Sequence, residues 1–186
     1  MKKNLTQLDW LQAGFRALSI HGPQALKAEP LAKTLKVSKG SFYWHFSDIA
    51  DFKAAMISHW KTKATADVIT AIESGTSDPA DKLYALAHRS TAQTHAAYGG
   101  AASESAIRDW ARYEADIARV VAEIDLRRLT FTESLFRASG QEKPRAQQSA
   151  RLLYAALIGL DTLASANKNT SRQNLSHLVT LLLKQP

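Results

Sequence analysis

The sequence predicts an all-α protein of about nine helices, in which a small N-terminal helical domain precedes a larger helical one. Glycine and proline cluster at a few separated breaks, which is typical of loops between helices. The stretches between the breaks carry Ala, Leu, Lys, Glu and Arg at helical spacing, and no sustained alternation of β-branched residues indicates a strand. We expect the two domains to span residues 1–47 and 48–186.

Composition restricts the class of protein further. The 186 residues are 45% hydrophobic, carry a net charge of +7 and include no cysteine. Without cysteine there are no disulfides, cysteine-ligated zinc sites or thiol nucleophiles, which fits a reducing compartment. No apolar run approaches the roughly 20 residues of a membrane span. We therefore expect a cytoplasmic protein with no membrane partner. The basic net charge favours a polyanionic binding partner.

The N-terminal third begins with two predicted helices. The first is expected to start at Thr6, whose hydroxyl can cap it while Asp9 supports the first turn, and to stop at the Gly-Pro pair 22–23. A short helix follows from about Ala28 to Leu35. Its Pro30 is tolerated because it lies in the first turn, where a missing N–H costs little.

A second short helix is predicted over Lys39–His45, after a brief turn and with Ser38 as its cap. Two short helices joined by a tight turn form a helix-turn-helix, whose second helix can enter a DNA major groove. The residues expected to face inward are Leu31, Leu35, Val37, Phe42 and Phe46.

The opposite side of this second helix carries residue types that suit a groove. A lysine or a hydroxyl can contact phosphate, a glycine allows close backbone approach, and an aromatic ring can press on a thymine methyl group. Aromatic residues in helices are usually buried, which is the alternative for Tyr43 and Trp44, but the run from Phe42 to His45 cannot all face inward. The expected DNA contacts here are Lys39, Gly40, Ser41, Tyr43, Trp44 and His45.

The first third of the chain resembles the TetR family of bacterial transcriptional repressors. The resemblance rests on the N-terminal helix, on Gly22, on the Leu-Ala pair at 31–32, on Val37–Ser41 and on the aromatic run at 42–46. It implies a three-helix DNA-binding domain followed by a helical ligand-binding and dimerisation domain. It also implies a homodimer that binds a near-palindromic double-stranded operator and responds to a small-molecule inducer.

Three positions depart from the family pattern. Lys36 stands where the family usually has the turn glycine, so the chain must reach that conformation with a side chain attached. Lys27 stands where a capping Thr or Ser is common. Ile49 replaces a phosphate-binding lysine, for which Lys53 is a possible substitute. We include Lys27 and Lys53 among the expected DNA-binding residues.

The remaining helices are predicted from the spacing of apolar residues. Asp48 is expected to cap a long helix that reaches into the seventies. Further helices are expected at about 80–98, 102–113, 115–138, 144–166 and 172–184.

A ligand pocket is the first hypothesis for the C-terminal part. Aromatic and mildly polar residues flank an apolar stripe on the helix near 80–98, which is the chemistry of a pocket, although a helix shoulder facing water remains an alternative. Core packing is the alternative for the tryptophans and Met56, and Asp161 is either a ligand anchor or the partner of a cation such as Arg127 or Arg128. The candidate ligand-binding residues are Met56, Trp60, Tyr84, His88, Thr91, His95, Trp110, Tyr113, Tyr154 and Asp161.

No metal or other cofactor is expected. His88 and His95 are two helical turns apart, roughly 10 Å along a helix axis, which is too far to share one ion.

A dimer interface is predicted on the last two helices. The helix near 150–166 is apolar nearly all round, so its two sides must both be covered. Two such helices from each of two subunits would form a four-helix interface; the alternative is a monomer that covers both faces itself. The expected interface residues are Leu152, Leu160, Leu163, Leu175, Leu178 and Leu182.

These patterns predict a DNA-binding transcriptional regulator, specifically a repressor relieved by an inducer. The alternative is a helical DNA-binding or protein-interaction module without an inducer. We do not expect an enzyme, because the sequence has no nucleophile elbow, phosphate-binding glycine loop, HExxH or paired-carboxylate arrangement.

Overall fold

Nine α-helices and no strand make up the regular structure of the residues described by the computed structural model, which are 5–91, 98, 102–163 and 168–184. The all-α prediction is therefore confirmed. A 3₁₀ turn spans Pro23–Ala25, a 3₁₀ segment spans Lys39–Trp44, and a π-helical turn spans Thr62–Ala66. The helices are α1 Gln7–His21, α2 Ala28–Leu35, α3 Ile49–Lys61, α4 Asp67–Glu73, α5 Pro79–Ser90, α6 Ala102–Ala111, α7 Ala115–Ala138, α8 Lys143–Thr162 and α9 Lys168–Lys184.

The predicted boundaries of α1 and α2 are confirmed. The Asp9 amide donates to Thr6 Oγ1 at 3.3 Å, and the Thr6 amide donates to Asp9 Oδ2 at 2.8 Å, which forms a reciprocal capping box. α1 ends at Gly22, whose φ of 77° lies in the left-handed region that favours glycine. The expected start of α3 is also present, because Asp48 Oδ1 accepts a 2.8 Å hydrogen bond from the Asp51 amide.

Several predicted helices are shorter or less regular than expected. The helix that follows Asp48 passes through the π turn Thr62–Ala66 before continuing as α4. α5 ends at Ser90 rather than near 98, and the Thr91 hydroxyl after it donates back to the Ala87 and His88 carbonyls. α6 ends at Ala111 rather than 113, α8 ends at Thr162 rather than 166, and α9 begins at Lys168 rather than 172.

The described residues fall into two compact units, drawn from Met1–Trp60 with Gln93–Val121 and from Lys61–Ala92 with Ala122–Pro186. The predicted boundary between a DNA-binding domain, residues 1–47, and a second domain, residues 48–186, is a functional one and stays a prediction. None of the described helices combines the length and the apolarity that crossing a bilayer requires.

The core of the first unit is rich in aromatic side chains. Trp10, Phe15, Phe42 and Phe52 are each at most 2% exposed. α1 and α3 approach closely at Gly14, where an added Cβ would lie 2.5 Å from Phe52 Cζ. A larger residue at this position would therefore force the side chains of Phe52 and Met56 to shift.

The core of the second unit corrects part of the predicted dimer interface. Leu175 and Leu182 are 1% and 5% exposed and pack inside the unit, so they are not available to a second subunit. Leu160 and Leu178 are half-buried against the same core. The buried residues of this core are Ile72, Leu83, Ala87, Leu135, Phe136, Ala146, Ala150, Leu153, Leu175, Val179 and Leu182.

Candidate nucleic-acid interface

The helix-turn-helix begins with α2, whose inward residues Ala28, Leu31 and Ala32 are buried. The turn after α2 depends on Lys36, which adopts φ 58° and ψ 42°, the left-handed conformation expected from its place in the pattern. The Val37 amide donates to the Ala32 carbonyl at 3.0 Å, which closes the end of the helix. Lys36 is the only non-glycine residue with positive φ in the part of the chain that the structure describes.

The second helix of the motif is a 3₁₀ helix rather than an α-helix. We call Lys39–Trp44 the recognition segment. Ser38 occupies its N-cap position, but its side chain makes no capping hydrogen bond, so the predicted hydroxyl cap is wrong. The backbone supplies the first bond instead, from the Ser41 amide to the Ser38 carbonyl at 3.0 Å.

One buried ring anchors the recognition segment to the first unit. Phe42 is fully buried, and its ring centroid lies 5.3 Å from Trp10, 5.2 Å from Phe46 and 5.4 Å from Phe52. Phe46 and Phe52 are themselves in edge contact at 5.0 Å. The edge-to-face contacts of Phe42 with Trp10 and Phe52 add to the burial energy of its ring.

The side chains next to this anchor face the solvent. Tyr43 is 51% exposed and Trp44 is 88% exposed, so the alternative that these two rings lie in the core is wrong. Lys39 and Gly40 are exposed, while Ser41 and His45 are half-buried. The His45 ring lies 6.5 Å from Trp10, which ties it partly to the core.

Lysines add positive charge around the motif. Lys27 is exposed at the position before α2, as its predicted role requires. Lys33 and Lys36 are also exposed, although they were not among the predicted contacts. Lys33 directly follows the inward residues Leu31 and Ala32 in the helix, so the sequence could have predicted that it faces outward and can contact phosphate.

Lys53 has a different role from the one predicted for it. Its Nζ lies 2.7 Å from Glu114 Oε1 and 5.3 Å from the centroid of the Trp110 ring, within the first unit. The hydrogen bond from Lys53 lowers the pKa of the Glu114 carboxyl, and the Trp110 indole contributes in the same direction. Because its ammonium is already paired, we remove Lys53 from the candidate phosphate contacts.

Four of the predicted ligand-binding residues belong to the first unit. Met56, Trp60 and Trp110 are buried, and the Trp60 indole N–H donates to Glu104 Oε2 at 3.2 Å. Tyr113 is 82% exposed.

Most of the others belong to the second unit. The Tyr84 hydroxyl is 2.9 Å from Thr180 Oγ1, and the buried Thr91 is bonded to its own helix. Tyr154 is 8% exposed and donates to Asp125 Oδ1 at 2.6 Å. His88 and Asp161 are exposed on the surface. His95 lies outside the described residues.

Arg128 joins Tyr154 in a polar network that the sequence did not predict. Its Nη1 donates to the Tyr154 hydroxyl at 3.2 Å, its Nε to Thr65 Oγ1 at 3.1 Å and its Nη2 to the Ala64 carbonyl at 3.1 Å. Arg128 therefore stabilises the π turn, and the pairing of Asp161 with a cation stays a prediction.

A cleft of about 200 Å³ in the first unit is not lined by any predicted ligand residue. Its walls are Leu18, Ser19, Gly22, Pro23, Ala102, Ser105, Ala106 and Asp109. Across the described ranges, no three His, Asp or Glu side chains are grouped as a metal ion would require.

Residues 11–56, which include the whole helix-turn-helix, match the sequence profile of the bacterial regulatory proteins of the tetR family. The N-terminal part of this chain therefore matches the N-terminal domain of the TetR family. The predicted resemblance is thus confirmed over these residues, and with it the expectation of a DNA-binding transcriptional regulator.

Solved structures share the fold of this chain along nearly its whole length. A TetR transcriptional regulator from Legionella pneumophila is 16% identical with a TM-score of 0.80, over 99% of this chain and 100% of that one. A transcriptional regulator from Rhodococcus sp. Rha1 is 20% identical with a TM-score of 0.78, over 97% of each chain. A protein from Saccharomonospora viridis in complex with choline is 14% identical with a TM-score of 0.76, over 94% and 95%.

At these identities the similarity shows the fold alone. The sequence matches no curated protein significantly.

Proposed function

We propose that this TetR-family regulator is a repressor that binds a near-palindromic operator as a homodimer and is released by a small-molecule inducer. The observation that carries the proposal is the recognition segment, in which the buried Phe42 fixes the backbone while Tyr43 and Trp44 face outward. A rigid element with exposed aromatic and basic side chains suits the major groove. The cytoplasmic location that the sequence predicts is the compartment in which such a protein would reach its operator.

The phosphate backbone would supply most of the affinity. Lys39, Lys27 and Lys33 are exposed and can neutralise phosphates, and the Tyr43 hydroxyl can donate to one. A twofold-symmetric dimer presents this set twice, so the operator half-sites would be separated by about one turn of B-DNA, roughly 34–36 Å.

Dimerisation is proposed through the exposed side of α8. Leu152 and Leu163 are 49% and 58% exposed, and Ala155 and Gly159 lie between them at helical spacing on the same exposed side. Nothing lies within 4 Å of a Cβ added at Gly159, so a partner helix can approach closely there. Leu160 and Leu178, which are half-buried, would border this stripe.

An inducer is supported by analogy and by chemistry. The structurally similar Saccharomonospora viridis protein holds choline, a small organic ligand. Within the first unit, the buried Met56, Trp60 and Trp110 supply apolar surface, and the Trp60 indole, bonded to Glu104, adds a polar group. An inducer acts only if it prefers the conformation that does not bind DNA.

Operator binding can be tested with duplex DNA from the protein's own upstream region. We expect the affinity to fall steeply with salt, and Lys39→Ala to reduce the slope of log K against log salt by about one for each phosphate that is no longer neutralised. Tyr43→Ala should also weaken binding, whereas Lys143→Ala, an exposed change at the start of α8, should not. A salt-independent affinity, or equal effects of Lys39→Ala and Lys143→Ala, would contradict the proposal.

A further inference from the structure

The most exposed large hydrophobic side chain of the described residues is Trp44, at 88%. The other large aromatic residues of the helix-turn-helix, Phe42 and Phe46, are buried, and Tyr43 leans on Phe42. Exposing an entire indole to water contributes nothing to folding, because stabilisation comes from the apolar area that is removed from water. The position of Trp44 therefore calls for an explanation outside the subunit's own packing.

The 3₁₀ geometry of the recognition segment separates its side chains into distinct faces. With three residues per turn, side chains at i and i+3 lie directly above one another. Phe42 is buried on the inward face, and Lys39, which precedes it by one turn at the start of the segment, remains exposed. The two remaining faces carry Gly40 with Tyr43, and Ser41 with Trp44. Tyr43 and Trp44 thus point in directions about 120° apart, each above a small residue that leaves its ring accessible.

The two exposed rings differ in how they are held. The Tyr43 ring meets Phe42 edge-on, with centroids 5.3 Å apart and an interplanar angle of 83°. That contact covers one side of the ring and leaves its hydroxyl at the outer end, which suits a hydrogen bond to phosphate. Trp44 is not braced by a neighbouring ring among the described residues, so both of its faces are open. Its contact surface is apolar apart from the single indole N–H.

The major groove offers one apolar group to such a ring. Base edges present hydrogen-bond donors and acceptors, and only thymine adds a methyl group at C5. Placing the face of an indole against polar edges or phosphates would desolvate them without replacing their hydrogen bonds, which is unfavourable. Contact with the thymine methyl instead buries apolar surface on both sides.

We propose that Trp44 is a specificity-determining residue that recognises the 5-methyl group of one thymine in each operator half-site, while Tyr43 contacts the backbone. This rests on the proposed function, because it requires the recognition segment to enter the major groove. It assigns different roles to two adjacent aromatic residues, on the basis of their faces and their exposure.

Uracil substitution tests the proposal directly, since it removes only the methyl group. The full-length protein is first used to select binding duplexes from a random library, and each thymine of the selected site is then replaced by uracil. At one position per half-site we expect the dissociation constant to rise about fourfold, the equivalent of one buried methyl group. In the Trp44→Ala variant, the same replacement should have no effect.

Tyr43→Phe is the matched control. It keeps the ring and removes the hydroxyl, so it should weaken binding to every duplex while leaving the uracil effect unchanged. Circular dichroism would verify that the variants are folded. The proposal is overturned if no thymine responds to uracil, or if the response persists in Trp44→Ala. If the protein selects no sequence at all, the proposed function itself fails, and the two failures are therefore distinguishable.

Discussion

At the scale of single residues, Lys36 shows the conflict between a local rule and a global fold. The turn of the helix-turn-helix needs a left-handed residue, and this chain supplies a lysine with φ 58° instead of a glycine. A residue with a Cβ costs roughly 1–2 kcal/mol in this conformation. The strain persists because the packing of α2 and the recognition segment determines the turn.

Replacing Lys36 should therefore stabilise the protein. We expect Lys36→Gly to raise the free energy of unfolding by about 1 kcal/mol, because glycine adopts positive φ without steric cost. Lys33→Gly is the control, since Lys33 is exposed inside α2 and glycine should destabilise a helix there by about 1 kcal/mol. Chemical denaturation measures both. Destabilisation by both variants would show that the turn is not strained.

Glu114 gives a prediction about pH. Its pKa is lowered in the folded protein by the hydrogen bond from Lys53, relative to the ordinary value of 4.5. A lowered carboxyl pKa means that the stabilisation is fully present above the unfolded-state pKa and is lost as the pH falls through the folded-state pKa.

Glu114→Gln should accordingly lower the melting temperature at neutral pH, and the difference from the native protein should fade below pH 4.5. Thermal unfolding at a series of pH values measures this. Glu123→Gln is a suitable comparison because its ion pair with Lys61 is more exposed, with a Glu123 side chain that is 60% accessible, and such pairs contribute little. A difference at neutral pH that persists undiminished into acid would contradict the assignment.

At the scale of elements, the predicted starts of helices were more accurate than their interiors and ends. The caps of α1 and α3 depend on residues three apart in sequence, so they can be read locally. The π turn after α3 cannot, because it is held by Arg128, about sixty residues further along the chain. Turns of this kind are rare and often mark functional sites.

Thr65 tests how strongly that turn is held. Thr65→Val keeps the shape of the side chain but leaves the Nε of Arg128 without its acceptor, so we expect a loss of about 1–2 kcal/mol in stability. Amide hydrogen exchange at 62–70 should become faster.

Lys63→Met on the same turn breaks an exposed ion pair with Asp67 and serves as the control, with an expected effect below about 0.5 kcal/mol. Equal exchange rates in Thr65→Val and the native protein would show that Arg128 does not stabilise the turn.

At the scale of the whole molecule, the final prediction concerns the proposed dimer interface on α8. Leu152→Glu combined with Leu163→Glu places charges on the exposed stripe of α8, which should convert the protein to a monomer and reduce operator affinity at least tenfold. Leu126→Glu is the control, because Leu126 is 67% exposed on a different helix, α7. Light scattering after size-exclusion chromatography measures the mass. A dimer that survives the double substitution would exclude α8 as the interface.

Sequence by itself determined the all-α class, the capped starts of the early helices, the helix-turn-helix and the family of its N-terminal domain. These features depend on residues within a few positions of one another, so local chemistry suffices to predict them. The outward orientation of part of the run at 42–46 was also predictable, because consecutive residues of a helix cannot share one face.

Only the tertiary structure decided which apolar face each later helix buries and which distant partner each polar group finds. Leu175 and Leu182 pack in the core rather than at an interface, and Lys53 pairs with Glu114 rather than remaining available for phosphate. The physical reason is the same in both cases. Periodicity shows that the apolar face of a helix must be covered, but the residues that cover it lie far away in sequence. The partner of a charged side chain is equally distant, and both contacts form only when the chain folds.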